Sequence, residues 1–149
     1  PEHRFNIDCK ADAALEPLVE LINAQDALDR VCIGSFSFKR LKTIRQRLGT
    51  GSLTCLSPIE TVCLLVFGRL FGSDQRVAQV PPRYGRVTVV SRRFVRNARR
   101  AGIAVHVWTI NDAAEIGRLL DLDVDGVMTD DVELLRSVYV ERGVWVGDN

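Results

Sequence analysis

One pattern recurs along the chain: a short apolar run, then a polar turn, then an amphipathic helical segment. It occurs six times within 149 residues. The apolar runs are nearly continuous rather than alternating, which is typical of parallel strands buried on both faces. They are RFNIDCK (4–10), RVCIGSF (30–36), LTCLS (53–57), RVAQVP (76–81), AVHVWTIN (104–111) and DGVMTD (125–130). The repeat therefore predicts βαβ units and an α/β fold with a parallel sheet.

Helices are predicted at about 14–24, 37–48, 58–71, 92–101, 113–121 and 132–142. Three of them carry the spacing of a capping box, beginning at Ser57, Asp112 and Asp130, with a glutamate three residues later in each case. Left-handed glycines are expected to end four helices, at Gly49, Gly72, Gly102 and Gly143.

Two architectures fit this pattern: an open doubly wound sheet and a TIM barrel. No glycine-rich nucleotide-binding motif follows any predicted strand, which removes one reason to choose the open sheet. Polar and aromatic residues instead recur at the C-terminal ends of several strands, where barrel enzymes build their sites. A complete barrel has eight units and typically about 250 residues. We therefore expect a single domain over residues 1–149 that forms part of a barrel.

Asp8 and Lys10 end the first predicted strand and lie two residues apart, so they point to the same face. One interpretation is a structural ion pair. The other is a site in which the carboxylate binds a hard divalent cation and the ammonium group neutralises phosphate charge. The residue types alone leave both interpretations open.

Four segments of the sequence resemble the motifs of a known family. NIDCK, GSFS, VHVWTIND and DVDGVMTDDVELL occur in this order along the chain. They resemble the C-terminal part of the glycerophosphodiester phosphodiesterases, whose strands read N-I-E-I-K, S-F, V-x-V-W-T-V-N and G-V-D-G-I-I-T-D. The resemblance covers nearly the whole chain and is weakest between Thr54 and Arg100.

This resemblance implies a (β/α)8 barrel that hydrolyses glycerophosphodiesters to an alcohol and glycerol 3-phosphate with a divalent cation, Mg or Ca. Asp8 matches the family's metal-binding glutamate, one methylene shorter, and Lys10 matches the catalytic lysine that contacts the phosphate. The resemblance places the six units as strands three to eight of the barrel. The remaining site residues are expected to contact the substrate, namely Trp108, Ser35, Phe36 and Gln79.

The family's H-R-G and H-D histidines and its E-x-D carboxylates precede N-I-E-I-K, and no match to them occurs in this chain. His3 is expected to be a surface residue and His106 a hydrogen-bonded core residue. Cleavage of a phosphodiester needs a proton donor and a base as well as charge neutralisation. We therefore expect this chain to be an inactive part of a longer enzyme. The chain itself would lack the first two strands of the barrel.

Composition narrows the expected partners. The net charge of +1 gives no global attraction for nucleic acid, and no apolar run is long enough for stable membrane insertion. The four cysteines form no C-x-x-C pair, so we expect reduced, buried thiols rather than zinc, in a cytoplasmic protein.

Three segments carry weaker indications. The arginine-rich SRRFVRNARR (91–100) is interpreted as the solvated face of a helix, with an anionic partner as the alternative. PIETVCLLVFGRLFG (58–72) is apolar on several sides, as in a helix between neighbours or against a partner. PPRYGR (81–86) is interpreted as a surface loop, with a contact to substrate as the alternative.

Two other functional classes stay open from the sequence: a non-catalytic α/β interaction module, and a barrel lyase of the phosphatidylinositol type.

A barrel without its first two strands has two unpaired sheet edges, so we expect self-association through those edges.

Overall fold

The computed structural model describes residues 3–72 and 75–147 and shows an α/β fold. The strands are β1 (Phe5–Asp8), β2 (Val31–Gly34), β3 (Leu53–Thr54), β4 (Val77–Val80), β5 (Arg83–Tyr84), β6 (Val87–Thr88), β7 (Ala104–Val107) and β8 (Gly126–Val127). The α-helices are α1 (Leu15–Ala24), α2 (Phe38–Leu48), α3 (Pro58–Phe67), α4 (Arg92–Arg100), α5 (Ala113–Asp121) and α6 (Val132–Glu141). Within the described ranges, no helix has both the length and the apolar character to cross a membrane.

The predicted parallel strands all form and pair in chain order. β1, β2 and β3 make one parallel sheet, and β4, β7 and β8 make another. A parallel bridge between Cys55 and Val77 joins the two, and the Leu56 amide donates to the Val77 carbonyl at 2.8 Å. The strands therefore form one parallel series with a weakly paired seam between β3 and β4.

The series is curved rather than flat. Neighbouring strands lie about 4.8 Å apart, so β1 and β4 would be about 14 Å apart in a flat sheet. The side chain of Gln79 on β4 nevertheless donates from Nε2 to Oδ1 of Asn6 on β1 at 2.9 Å. The sheet must therefore curl towards the face that carries these two amides, which we call the concave face.

Two separate apolar clusters lie between the convex face of the sheet and the helices. The first includes Val19, Ile33 and Ile44 and joins α1 and α2 to the first sheet. The second is larger, includes Phe94 and Val105, and joins the later helices to the second sheet. The strand residues of both clusters alternate with those on the concave face, because successive side chains of a strand point to opposite sides.

A polar network fills the seam between the two clusters. Arg45 of α2 donates from Nε to Thr54 Oγ1 and from Nη1 to Glu60 Oε1, each at 2.8 Å, and from Nη2 to the Cys55 carbonyl at 3.0 Å. Thr54 in turn donates to Gln75 Oε1 at 2.5 Å. Burial by itself would raise the pKa of Glu60, but hydrogen bonds from Arg45 and Ser57 outweigh that effect and lower it.

The predicted helix starts are right at two of the three capping boxes. Ser57 makes the full reciprocal box with Glu60, and Asp112 accepts from the Glu115 amide at 2.8 Å. The start of α6 was placed one residue early, since Asp131 rather than Asp130 caps it. Asp130 is instead bound to Asn111.

The predicted helix ends are right at Gly49, Gly102 and Gly143, which all have positive φ. The prediction of Gly72 as the end of α3 is wrong. Gly68 adopts the left-handed conformation with φ 69° directly after Phe67, so the helix stops there although the apolar sequence continues.

The segment 81–86 is not a simple loop. Arg83 and Tyr84 pair antiparallel with Thr88 and Val87, which gives the hairpin β5–β6 with Gly85 at φ 57° in its turn. The side chain of Tyr84 is exposed. The structure thus adds a small antiparallel ribbon after β4.

Removing the positive charge of Arg45 at the seam should destabilise the protein strongly. We expect Arg45→Met to lower the free energy of unfolding by about 3 kcal/mol, because Glu60 would stay buried without its partner. The stabilisation from Glu60 should be present above its ordinary pKa of 4.5 and disappear as the pH falls through its lower folded value. Urea denaturation at several pH values measures both effects.

Arg47→Met on the same helix is the matched control. Arg47 pairs with Glu16 at the surface, where both side chains are half exposed. Such pairs contribute about 0.5 kcal/mol or less. Equal losses for the two variants would contradict a stabilising role of the seam network.

Candidate active site at the C-terminal ends of the strands

Asp8 and Lys10 lie together at the C-terminal end of β1. The Lys10 Nζ is 3.9 Å from Asp8 Oδ2, and the side chains are 81% and 36% exposed. Both exposures exceed those of a buried structural ion pair, so both groups are accessible to a ligand from the concave face. The geometry brings together the two residues that the sequence singles out.

Side-chain oxygen atoms of Asp8 and Gln79 both lie close to Gly34. A Cβ atom at this position would lie 4.0 Å from Asp8 Oδ1 and 3.8 Å from Gln79 Oε1. Two oxygen atoms from β1 and β4 therefore face the same opening above β2. Gln79 lies on the concave face, and its amide nitrogen donates to Asn6.

An aromatic pair stands at the same edge. The rings of Phe36 and Trp108 meet edge to face, with centroids 6.1 Å apart and an interplanar angle of 89°. Phe36 is 70% exposed, and the peptide bond after Trp108 is cis. These residues follow β2 and β7, on opposite sides of the seam, so their contact also depends on the curvature of the sheet.

The structure places Ser35 away from this face, which corrects the prediction that it contacts substrate. Its side chain is buried; Oγ donates to the Cys9 carbonyl at 2.8 Å and accepts from Arg40 Nη1 at 2.8 Å. Alternation along the strand explains the error, because Gly34 and Phe36 face the concave side and Ser35 between them must face the helices.

The two histidines lie apart from Asp8 and Lys10. His3 is exposed, as expected, and precedes β1. His106 is half buried, two residues before Trp108, and burial lowers its pKa although Asp125 opposes the shift. Among the described residues no hydrogen bond to its ring occurs, so the prediction of a hydrogen-bonded core histidine is wrong on both burial and bonding.

Asn111 explains why W-T-I-N and T-D recur as a pair of motifs. Its Oδ1 accepts from Thr129 Oγ1 and from the Asp130 amide, each at 2.9 Å, while its Nδ2 donates to Asp130 Oδ2 at 3.1 Å. The two motifs thus bind each other where β7 and β8 end. This clamp was not anticipated, since a sequence gives spacing but not which strand ends meet.

The sequence also missed a close pair of thiols. The sulfur atoms of Cys32 and Cys55 lie 3.5 Å apart across β2 and the end of β3. A hydrogen bond from Cys55 lowers the pKa of Cys32, against the effect of burial. Cys32 and Cys63 are only partly buried, so the expectation of four buried thiols holds for Cys9 and Cys55 alone.

The donors fit a hard divalent cation only as part of its coordination shell. Asp8 offers a carboxylate and Gln79 an amide oxygen, and Mg²⁺ commonly takes one or two carboxylates and keeps several waters. No cluster of three or more acidic, histidine or cysteine side chains that could hold a metal occurs in residues 3–72 and 75–147.

A parallel α/β fold with charged and aromatic side chains at the C-terminal strand ends defines the class: proteins that place their functional groups at this edge of the sheet. The family model for the glycerophosphoryl diester phosphodiesterase family matches residues 5–134. The chain belongs to this family, as its four motifs predicted.

The relatives agree with the family. The chain is 37% identical over 155 residues to "Probable glycerophosphodiester phosphodiesterase 2" of Mycobacterium tuberculosis, covering 99% of this chain and 59% of that protein. It therefore spans about three fifths of that relative's length.

Two solved structures share the fold. One, the "Putative glycerophosphoryl diester phosphodiesterase" of Silicibacter pomeroyi, has a TM-score of 0.73 at 18% identity, covering 96% of this chain and 52% of that one. The glycerophosphodiester phosphodiesterase of Parabacteroides distasonis has a TM-score of 0.72 at 19% identity, covering 94% and 58%. At these identities the structures establish the fold alone.

Removing the clamp at the strand ends should destabilise the candidate site. We expect Asn111→Ala to lower the free energy of unfolding by about 1.5 kcal/mol, because three hydrogen bonds are lost at an exposed position. Asn111→Asp keeps the acceptor but places a second carboxylate beside Asp130, so it should also destabilise. Thermal unfolding measures both, with the exposed Asn23→Ala on α1 as control. Similar results for Asn111→Ala and Asn23→Ala would rule out a stabilising clamp.

Proposed function

We propose that this chain supplies the charge-stabilising part of a metal-dependent phosphodiesterase site, which in the whole protein hydrolyses glycerophosphodiesters to an alcohol and glycerol 3-phosphate. The observation that carries the proposal is the placement of Asp8, Lys10, Gln79 and Trp108 around one edge of the sheet in a member of this family. The six parallel strands would correspond to strands three to eight of the barrel.

Each side chain has a distinct part in this proposal. The exposed ammonium group of Lys10 contacts a non-bridging phosphate oxygen and stabilises the negative charge that grows there during cleavage. The aromatic pair of Trp108 and Phe36 packs against the carbon atoms of the glycerol moiety. Gln79, held by its hydrogen bond to Asn6, directs its carbonyl oxygen into the opening beside Asp8.

Asp8 is the residue that would hold a divalent cation, Mg or Ca. The ion, when bound, supplies further neutralisation of phosphate charge. Lys10 lies within 3.9 Å of the carboxylate and keeps a positive charge beside it. Asp8 therefore has two functions, which are to hold the cation and to orient the lysine.

Proton transfer is not assigned to this chain. His3 precedes β1, at the edge away from the strand ends, and His106 lies below Trp108 with a lowered pKa. We therefore propose that the general acid and base belong to the longer protein and that the chain alone is inactive. The free thiols are consistent with a cytoplasmic location, which we propose on that basis.

Activity of the whole protein tests the assigned roles. We expect Lys10→Met and Asp8→Asn each to lower kcat by about 100-fold or more, the range seen when one charge-stabilising group is removed. The exposed Glu133→Gln on α6 is the matched control. Release of glycerol 3-phosphate is measured across a series of metal concentrations, where Asp8→Asn should also need more metal for half-maximal rate.

Three results would separate the alternatives. Unchanged activity in both variants would favour a non-catalytic module for this part of the chain. A cyclic phosphate product instead of glycerol 3-phosphate would favour a lyase of the phosphatidylinositol type. Metal-dependent hydrolysis by the 149-residue chain alone would contradict the proposed division of the site.

We further propose that the chain self-associates through its outer strands. In the described residues, β1 and β8 each pair on one side only, which leaves backbone groups open to another strand. Sedimentation velocity should show oligomers whose fraction rises with concentration. A monodisperse monomer at all concentrations would contradict this.

A further inference from the structure

Among residues 3–72 and 75–147, the outward face of α3 exposes large apolar side chains. Ile59, Val62 and Val66 follow one face of the helix, and Phe67 and Phe71 extend it at the C-terminal end. Each is more than half exposed, and the two phenylalanine rings meet edge to face at 5.7 Å. We call these five residues the α3 patch. A contiguous apolar surface of this kind marks an interaction site.

The surroundings of the α3 patch are basic. The Arg69 guanidinium stacks over the Phe71 ring at 4.8 Å, and Arg93 of α4 donates to the Val66 carbonyl at 3.2 Å. Arg96 and Arg100 are also exposed on α4, which contains no acidic residue. In the part of the chain that the structure describes, none of these four arginines has a carboxylate partner.

Helix α3 itself adds no exposed negative charge to the patch. Glu60 is the acidic residue of α3, but it is buried and paired with Arg45 on the inner side of the helix. The patch therefore combines exposed aliphatic and aromatic groups with guanidinium groups that have no carboxylate partner among the described residues. This combination differs from an ordinary solvated helix face, where apolar residues occur singly and both signs of charge mix.

From these observations we infer that the α3 patch docks the protein on the surface of a membrane that contains anionic phospholipids. Val66, Phe67 and Phe71 enter the boundary between headgroups and acyl chains, while Arg69 and Arg93 stay at the level of the phosphates. Each arginine near such a surface adds electrostatic attraction.

A second copy of this chain fits the patch less well. A symmetric contact places the same surface of both partners together, so it would bring the arginines of one copy against those of the other. Anionic lipid provides the opposite charge and an apolar phase at once. The charge and the apolar area of the α3 patch therefore favour anionic lipid over a second copy of the chain.

Docking through the α3 patch would leave the candidate site open. Helix α3 returns the chain from the C-terminal ends of the strands towards their N-terminal ends, so Phe67 and Phe71 lie towards the edge away from Asp8. Glycerophosphodiesters are water-soluble, and the site would stay accessible to them. The inference does not rest on the proposed activity, because it depends only on this outer surface.

Vesicle co-sedimentation tests the inference with the chain as it is. Vesicles of phosphatidylcholine alone are compared with vesicles that contain about 30% phosphatidylglycerol. We expect binding to the anionic vesicles that weakens by about tenfold or more when NaCl is raised from about 0.05 M to about 0.5 M. No binding to anionic vesicles at low salt would overturn the inference.

Two variants separate the apolar and basic contributions. Phe67→Ser with Phe71→Ser removes the aromatic end, and Arg93→Gln with Arg96→Gln removes two charges; each should weaken binding by about tenfold or more. The controls change matched residues elsewhere. They are the exposed Val140→Ser on α6, and Arg118→Gln with Arg142→Gln, which removes the same net charge from α5 and from the end of α6.

Three further outcomes are decisive. Circular dichroism and thermal unfolding must show that the variants keep their fold, and weaker binding by folded variants supports the inference. Equal losses in the control variants would show attraction by net charge alone and would overturn it. If the phenylalanine variant abolishes self-association while vesicles do not bind, a second copy occupies the patch and the inference is wrong.

Discussion

The buried hydrogen bonds of Arg45 hold together a fold that its apolar contacts alone would leave in two parts. One apolar cluster lies on each side of the seam, and strand pairing at the seam is reduced to a single bridge. The guanidinium group reaches Thr54, the Cys55 carbonyl and Glu60, and so connects α2, β3 and α3. Because the candidate site has residues from both sides of the seam, its geometry depends on this connection.

Because side chains alternate along a strand, one face of the sheet packs against the helices and the other carries the candidate site. Ile33 packs against the helices, whereas Gly34 beside it faces the side chains of Asp8 and Gln79. The same rule sends the Ser35 hydroxyl to Arg40 and leaves Phe36 free to meet Trp108. Stability and ligand contact are thus carried by neighbouring residues of one strand without competing for the same space.

Most of the fold could be predicted because its signals are local. Apolar runs, capping residues and helix-ending glycines act within a few positions, and the strands and helices lie where they indicate. The errors arose where a choice between neighbours is made by tertiary contacts. Asp130 is taken by Asn111, so Asp131 caps α6, and Gly68 rather than Gly72 ends α3. The pairing of Asp8 with Lys10 could be predicted from the sequence motif. The thiol pair and the Asn111 clamp could not, because they depend on which strand ends meet.

The amide contact between Asn6 and Gln79 has a consequence for the order in which the molecule assembles. The two residues are separated by 73 positions, whereas most strand pairs join segments that follow each other along the chain. Contacts of long sequence separation carry a larger loop-closure entropy and tend to form after local ones. We therefore expect the space beside Asp8 to be complete only when the two halves of the sheet have curled together, and a ligand that binds there to stabilise the fully closed chain over any half-assembled form.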